Sequence, residues 1–251
     1  RNNSLKDLKQ LEFFRKKFNL KKKKNFLEIK QLINKIKIYG TLNFANLARV
    51  AFISESFLRS LISNKVIKLE RLNSFKNSIS TILTDFVKDT KKLLNKKISW
   101  KKFCNIYGHL RSGTYDIESQ RYDRSDYFNT TYLRSIKKTK NLENFKFKQK
   151  ELKAISLNLK KLNLNFNPIE FMNTIKENIA LREYSKFIFT KSVSDILEEI
   201  VLKGKNFKLT RRDLSFLKFN ELEILDDKKN KSKVIKKLKK NKQQYYFDKL
   251  I

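Results

Sequence analysis

The sequence predicts an all-α protein, a multi-helix scaffold with one long polar loop around residues 108–128. Apolar residues recur at spacings of three and four along most of the chain, which is the period of an amphipathic helix. Alternating apolar and polar residues, the pattern typical of strands, are nearly absent. Glycine and proline are rare, at four and one residues, and two glycines, Gly108 and Gly113, fall in the same short polar stretch. These three observations define the predicted fold class.

Three helices are predicted before residue 65. Ser4 is a potential cap for the first helix, Gly40 lies where the second is expected to end, and Thr41 is placed to begin a third through about Asn64. Their apolar stripes are Leu5, Leu8, Leu11, Phe14 and Phe18; Phe26, Ile29, Leu32, Ile33 and Ile36; and Phe44, Leu47, Ala48, Ala51, Phe52, Phe57, Leu58 and Leu61. The third stripe is broad, which indicates a buried helix.

The pattern continues on both sides of the polar loop. A helical stripe spans residues 72–94, and a short helix is expected to begin after Ser99 and to end at Gly108. Residues 129–144 are polar and weakly periodic, so they are interpreted as a connection. Residues 152–164 have apolar positions at mixed spacing, which leaves their state open.

The second half contains a strong helix start at Asn167-Pro168-Ile169-Glu170, with a cap, a proline at the first position and an acid at the third. This helix is expected to run through Leu197, with a break near Thr190, and to stop at Gly204. Short helices follow from Thr210 and Asn220, and the charged residues 228–242 are expected to be exposed. The predicted division is 1–128, a first helical part with the loop; 129–150, a connection; 151–225, a second helical part; and 226–251, a basic linker.

Composition excludes several classes of protein. Apolar residues make up 40% of the 251 residues, which is a globular rather than a disordered composition. The longest apolar-leaning stretch is interrupted by Arg49, Glu55 and Arg59, which argues against a membrane span of about 20 residues. The chain has one Cys and one His, too few for an internal disulfide or a typical zinc site. No secretory leader is visible, so we expect a cytoplasmic location and no membrane partner.

The net charge of +34 has two explanations. Such a charge favours nucleic acid or another anionic surface as a partner. Lys, Asn, Ile, Phe and Leu can also be written with A/T-rich codons, so mutational bias gives the same composition. Because the basic residues are spread along the whole chain, we expect no specific nucleic-acid binding.

The polar stretch from Tyr107 to Arg124 holds the candidate functional residues. The planar guanidinium of arginine can donate two parallel hydrogen bonds to phosphate or carboxylate oxygens. The phosphate-binding candidates are therefore Arg111, Arg121, Arg124 and His109. The supporting residues are Asp116, Asp123 and Tyr115. The alternative is a structural crossover in which arginines and acids pair with one another. A lone His is more often a structural hydrogen-bonding residue than a base, and Cys104 is interpreted as a small buried hydrophobe. No metal site and no catalytic residue is assigned, and no phosphate-binding glycine loop is present.

Several segments resemble one family of enzymes. The main one is Tyr107-Gly108-His109-Leu110-Arg111, continuing with Gly113-Thr114-Tyr115-Asp116-Ile117 and Arg121-Tyr122-Asp123. Further matching segments are Tyr39 to Ala45, Leu47 to Arg49, Ala51 to Ile53, Leu58 to Leu61, Arg182 to Tyr184, Lys186-Phe187 and Leu209 to Leu217. Together they resemble the phosphoenolpyruvate-synthase-like phosphotransferases, which belong with pyruvate phosphate dikinase and the rifampicin phosphotransferases. The resemblance covers about residues 26 to 225. Ser112 stands where that family usually has proline.

The resemblance implies a multi-domain kinase in which phosphate passes from ATP to a histidine of a mobile domain and then to pyruvate or another acceptor. This chain is similar to the helical central part, which would shape the acceptor site and seat the phospho-histidine domain. The partners implied are the nucleotide-binding and phospho-histidine domains of the same polypeptide and a small-molecule acceptor. ATP and Mg²⁺ are implied for the full-length enzyme, and no cofactor is expected in this chain. The basic linker 226–251 would lead to the mobile domain.

Two other classes stay open at this point. One is a basic helical module that binds the nucleic-acid backbone, and the other is a structural or partner-binding helical domain. This chain is not expected to be catalytically complete in any of the three.

Overall fold

The computed structural model describes residues 2–124, 142 and 144–248, and it confirms the all-α class. The described residues are 76% helical, and no strand occurs among them. Ten α-helices lie in them: α1 (Asn2–Leu20), α2 (Phe26–Lys35), α3 (Leu42–Ser63), α4 (Leu69–Asn77), α5 (Ile82–Leu94), α6 (Trp100–Tyr107), α7 (Gln149–Lys161), α8 (Pro168–Lys205), α9 (Arg211–Ser215) and α10 (Lys231–Asp248). A π-helical segment, Ile36–Thr41, and 3₁₀ turns at Tyr122–Arg124, Phe219–Asp226 and Lys228–Asn230 complete the helical elements. Within this described part, none of the helices combines the length and the apolar character needed to cross a membrane.

Local capping chemistry sets several helix starts. The Asn25 side chain accepts from the backbone N–H of Glu28, and the Glu28 carboxylate accepts from the N–H of Asn25, at 3.0 and 2.9 Å. This reciprocal pair satisfies donors that the first turn of α2 leaves open. At α8 the Asn167 side chain accepts from the N–H of Ile169 at 2.9 Å, and Pro168 is the first helical residue. The predicted start of α8 is therefore confirmed.

Two predicted helix boundaries are wrong. Gly40 does not end a helix: α2 passes into the π-helical segment, and α3 begins at Leu42 directly after it. The φ angle of Gly40 is not positive, and a Cβ atom there would lie 2.7 Å from Cβ of Phe189. Glycine at this position gives space for packing. Thr190 does not break α8, which is continuous from Pro168 to Lys205.

The structure also changes or completes the predicted secondary structure of three other segments. The stripe 72–94 forms two helices, α4 and α5, because the Thr84 hydroxyl accepts from the Thr81 N–H at 3.0 Å and begins a new helix there. The undecided residues 152–164 lie mostly in α7. The charged C-terminal stretch is helical, and α10 buries Val234 and Leu238. Most of the predicted connection 129–144 lies outside the described residues.

The described residues group into two compact units, each assembled from segments that are distant in sequence. Unit 1 contains 2–40, 100–124 and 188–248, and unit 2 contains 41–99, 142 and 144–187. The core of unit 2 includes Leu58, Leu61, Leu72, Phe75, Ile155, Leu159 and Met172. Buried residues of unit 1 include Leu8, Leu11, Ile29, Phe103, Tyr107, Ile196, Ile200 and Leu214. The polar loop belongs to unit 1, and the four consecutive parts drawn from the sequence stay a prediction.

Candidate functional site

The polar loop follows α6 and is closed at its base by backbone hydrogen bonds. The N–H of Tyr122 donates to the carbonyl of Leu110 at 2.8 Å, and that of Asp123 donates to the carbonyl of Gly108 at 3.2 Å. A Cβ atom on Gly108 would lie 2.9 Å from Cβ of Asp123. Since no glycine of the described chain has a positive φ, Gly108 is needed here for close approach rather than for a left-handed turn.

Asp116 organises the interior of the loop. Its carboxylate accepts from the backbone N–H of Glu118 and from the Ser119 hydroxyl, both at 2.9 Å. The Ser119 hydroxyl also accepts from the N–H of Gly113 at 3.2 Å. These short-range bonds give the loop a defined conformation without a secondary-structure element.

Arg111 is the buried arginine of the site, with a side chain only 1% exposed. Its Nη1 donates to the carbonyl oxygens of Asp116 and Ser119, at 3.3 and 3.0 Å. Its Nη2 donates to the Ser194 hydroxyl at 3.0 Å and to the Glu198 carboxylate at 3.1 Å. Burial lowers the pKa of Arg111, and the Glu198 charge opposes that effect. As placed, this guanidinium fixes the loop onto α8.

Glu198 is the shared counter-charge of the site and was not predicted from the sequence. It is 4% exposed, and it accepts from Arg111, from Arg211 at 2.9 Å and from Arg124 at 3.2 Å. Arg211 also donates to the carbonyl of Ile117 at 2.9 Å. One buried carboxylate therefore joins the polar loop, α8 and the start of α9.

Arg121 belongs to a second ion-pair group, which reaches α8 through Asp195. It donates to both carboxylate oxygens of Asp123, at 3.1 and 2.8 Å, and to Asp195 at 2.9 Å. Asp195 also accepts from Arg15 of α1 at 2.7 Å. Burial acts against the charge of Arg121, but the bonds and charges of Asp123 and Asp195 outweigh it and raise the pKa of Arg121. Asp195 was also missed from the sequence.

His109 is buried beside these groups, at 4% exposed. Its backbone carbonyl accepts from the Ser194 hydroxyl at 2.7 Å. Burial, together with the positive charges of Lys191, Arg121 and Arg15, lowers the pKa of His109 to about 2. The imidazole is therefore neutral at physiological pH, and a group with so low a pKa is a weak general base.

The exposed candidates are Arg124 and Tyr115. The Arg124 side chain is 53% exposed, and its bond to Glu198 uses a single Nη1 donor. Tyr115 is 61% exposed. Nearby, burial raises the pKa of the Cys104 thiol to about 11, which keeps it protonated and unreactive. Of the predicted phosphate-binding arginines, Arg124 has the greatest access to a ligand from solvent.

The predicted site residues are thus largely brought together. Arg111, Arg121, Arg124, His109 and Asp123 surround the same part of α8, whereas Asp116 supports Arg111 through its carbonyl and Tyr115 lies at the surface. The available sequence signal for Glu198 and Asp195 is their position among apolar residues of α8 that become buried, such as Ile196 and Ile200. The predicted phosphate-binding and supporting roles stay a prediction for Arg111, Arg121, Arg124, His109, Asp116, Asp123 and Tyr115.

The carboxylates of the site do not form a cation site as they are placed. In the described residues, no group of three or more His, Cys, Asp or Glu side chains could hold a metal ion. Asp123 and Glu198 are both bound by arginines, and Asp116 is bound by Ser119 and the backbone of Glu118. Each of these carboxylates is already bound by protein donors, and no step through Mg-ATP is assigned to them.

Comparisons with known proteins give no match: no family model, no curated protein and no solved structure is significantly similar to the chain.

The geometry supports one chemical capacity. Arg111 and Arg211 hold the loop onto α8 and α9, and the half-exposed Arg124 presents guanidinium donors at the surface. Guanidinium donors of this kind bind phosphate or carboxylate oxygens. The site can orient an anion, and its buried groups are already committed to the protein.

Proposed function

We propose that this chain is the helical central part of an ATP-dependent phosphotransferase similar to phosphoenolpyruvate synthase. In that role it shapes the acceptor site and seats the phospho-histidine domain of the same polypeptide, in the cytoplasm. The sequence resemblance over residues 26–225 is the basis of the proposal. The acceptor is pyruvate or another small molecule.

One observation carries the proposal on the structural side. Arg111 and Arg211 lie in two separate segments of the resemblance, and both donate to the buried carboxylate of Glu198. Breaking such a buried pair costs several kcal/mol because a charge is left uncompensated. These two matching segments therefore meet at one buried carboxylate, which supports the interpretation that they belong to a shared site.

The proposed role of the chain is electrostatic and geometric. Arg111 and Arg121 hold the loop in place, and Arg124 offers its exposed donors to the phosphate or carboxylate that approaches the loop. Positioned positive groups stabilise the charge of a phosphoryl group in transfer. This assigns anion contact to Arg124 and positioning to Arg111.

The first test is to determine the gene sequence on both sides of the region that encodes this chain. The proposal predicts a nucleotide-binding segment upstream and a Thr-x-Gly-Gly-x-x-x-His motif downstream. A gene sequence with neither feature would contradict it.

The second test compares arginine variants of the full-length enzyme. Arg124→Gln is expected to lower turnover by about tenfold or more, as for lost transition-state donors, with little change in thermal stability because the side chain is half exposed. Arg111→Lys keeps the charge but loses the planar fork, and it should lower both turnover and stability. Arg59→Gln, whose side chain is 77% exposed on α3, is the matched control. Equal turnover of Arg124→Gln and Arg59→Gln would show that Arg124 does not contact the anion during the reaction.

A further inference from the structure

Unit 2 contains a cleft that the proposed function does not use. Its volume is about 860 Å³, and α3, α4, α5 and α8 contribute to its lining. Pockets for small molecules occupy about 300–1,000 Å³. The size therefore fits a small organic ligand.

One part of the lining is apolar. Phe52 of α3 and Leu83 of α5 line the cleft, and each is 66% exposed. Ile79, Val87 and Ile179 add further aliphatic surface. Large apolar side chains left exposed together on a concave surface mark binding sites more often than isolated ones do. An apolar ligand body would cover this part.

The other part of the lining is positively charged. Lys76, Lys88, Lys91 and Arg182 line the cleft, whereas Glu55 is the one acidic residue among its described lining residues. Glu55 already accepts from Lys76 at 2.6 Å. The surplus of positive charge favours an anionic group on the ligand.

Arg182 joins the two parts. Its guanidinium carbon lies 5.9 Å from the ring centroid of Phe52, and Nη1 is 3.1 Å from the Glu183 carboxylate, in a pair that is one-third exposed on both sides. Its Nε is buried and has no hydrogen-bond partner among the described residues. The side chain as a whole is one-third exposed, so the outer part of the guanidinium, rather than Nε, is the part that a ligand oxygen in the cleft can reach.

We propose that this cleft binds an organic anion that has an aromatic or aliphatic body and a carboxylate, sulfonate or phosphate group. The apolar body lies against Phe52 and Leu83, and the charged group accepts from Arg182. The cleft shares no residue with the polar loop, and the inference does not depend on the phosphotransferase proposal.

The test uses 1-naphthyl phosphate as the probe and the 251-residue chain as the protein. Binding is followed by naphthalene fluorescence anisotropy in about 0.15 M salt, where surface charges are screened beyond about 8 Å. We expect 1-naphthyl phosphate to bind about tenfold more tightly than 1-naphthol, and about tenfold more tightly than inorganic phosphate measured by its displacement of the probe, because only the whole molecule uses both parts of the lining. Equal affinity of 1-naphthol and 1-naphthyl phosphate would contradict the charged part of the site.

Matched variants locate the probe. Leu83→Asp places a negative charge at the cleft and should weaken binding of 1-naphthyl phosphate by about fivefold or more. Leu157→Asp changes a similarly exposed leucine of α7, 61% exposed and not among the lining residues of the cleft, and should leave the affinity within about twofold because a charge outside the cleft is screened by salt. Both variants change the net charge by the same amount, so non-specific attraction to the basic chain affects them equally. The same effect from both would overturn the proposal.

Arg182 is tested separately. Arg182→Gln should weaken 1-naphthyl phosphate and leave 1-naphthol unchanged, whereas Arg49→Gln, on the exposed surface of α3 and outside the lining, should change neither. If Arg182→Gln weakens both probes equally, Arg182 does not hold the anion. If that variant fails to fold, the Leu83→Asp and Leu157→Asp comparison decides the matter.

Discussion

Glu198 shows how one buried charge organises the polar loop. Its carboxylate accepts from Arg111, Arg124 and Arg211 and is almost inaccessible to water. Buried ion pairs contribute little when compared with apolar packing, but removing one partner leaves an uncompensated charge. The site therefore depends on this residue more than on any single exposed arginine.

Replacing Glu198 should be strongly destabilising. Glu198→Gln keeps the shape of the side chain but leaves Arg111 buried without a counter-charge, so we expect a loss of about 3–5 kcal/mol in the free energy of unfolding. Urea denaturation of the 251-residue chain measures it. Glu223→Gln, at an exposed position, should stay within about 0.5 kcal/mol of the parent. A similarly small effect for Glu198→Gln would show that the carboxylate is not needed to hold the loop.

His109 should make stability depend on pH. Its pKa falls from 6.5 to about 2 on folding, chiefly through burial, so the unfolded chain binds a proton that the folded chain does not. Stability is then fully present above pH 6.5 and is lost as pH falls, at up to about 1.4 kcal/mol per pH unit. His109 is the only His of the chain.

The window from about pH 6.5 to about pH 5 isolates this effect, because carboxylates titrate mostly below it. Urea denaturation at several pH values should give a steep slope for the parent chain and a nearly flat one for His109→Asn. Equal slopes for the two proteins would mean that the imidazole is accessible to protons in the folded state.

At the scale of elements, the loop is defined by how closely its two ends approach. Gly108 makes that approach possible, since a Cβ atom there would lie 2.5 Å from the Cys104 carbonyl and 2.9 Å from Cβ of Asp123. The base of the loop has no room for a methyl group.

Gly108→Ala should therefore open the loop and destabilise the chain by about 1–3 kcal/mol, the usual cost of an overpacked site. Asn105→Ala, on the exposed side of α6, is its control and should change stability by no more than about 0.5 kcal/mol. Thermal or urea unfolding of both variants gives the comparison. Similar stabilities would show that the loop base adapts to the extra methyl group without cost.

Local chemistry explains which elements were predictable. The start of α8 follows from Asn167 and Pro168, whose effects act within one turn, and it was predicted correctly. The role of Gly40 depends on Phe189, and that of Glu198 depends on Arg111 and Arg211, all distant in sequence. Periodicity along the chain shows which face of a helix is apolar, but it does not show which distant charge that face meets.

At the scale of the whole molecule, the charge of +34 predicts weak and non-specific binding to nucleic acid. Dispersed lysines contact phosphates without reading bases, so affinity should fall steeply with salt. Filter binding or anisotropy with two unrelated duplexes should give equal affinities, and binding should be lost near about 0.3 M salt. Nanomolar affinity that persists at that salt and distinguishes the two sequences would instead favour a dedicated nucleic-acid-binding module.

The most direct test of the proposed function is phosphate transfer by the full-length protein. Incubated with Mg²⁺ and ATP labelled in its β and γ phosphates, it should acquire an acid-labile label on a histidine outside this chain. Addition of the acceptor, with pyruvate as the first to be tried, should discharge that label, and the 251-residue chain alone should acquire none because phosphoryl transfer needs bound metal-nucleotide. A full-length protein that is folded and binds ATP yet never becomes labelled would contradict the assignment to the phosphotransferases.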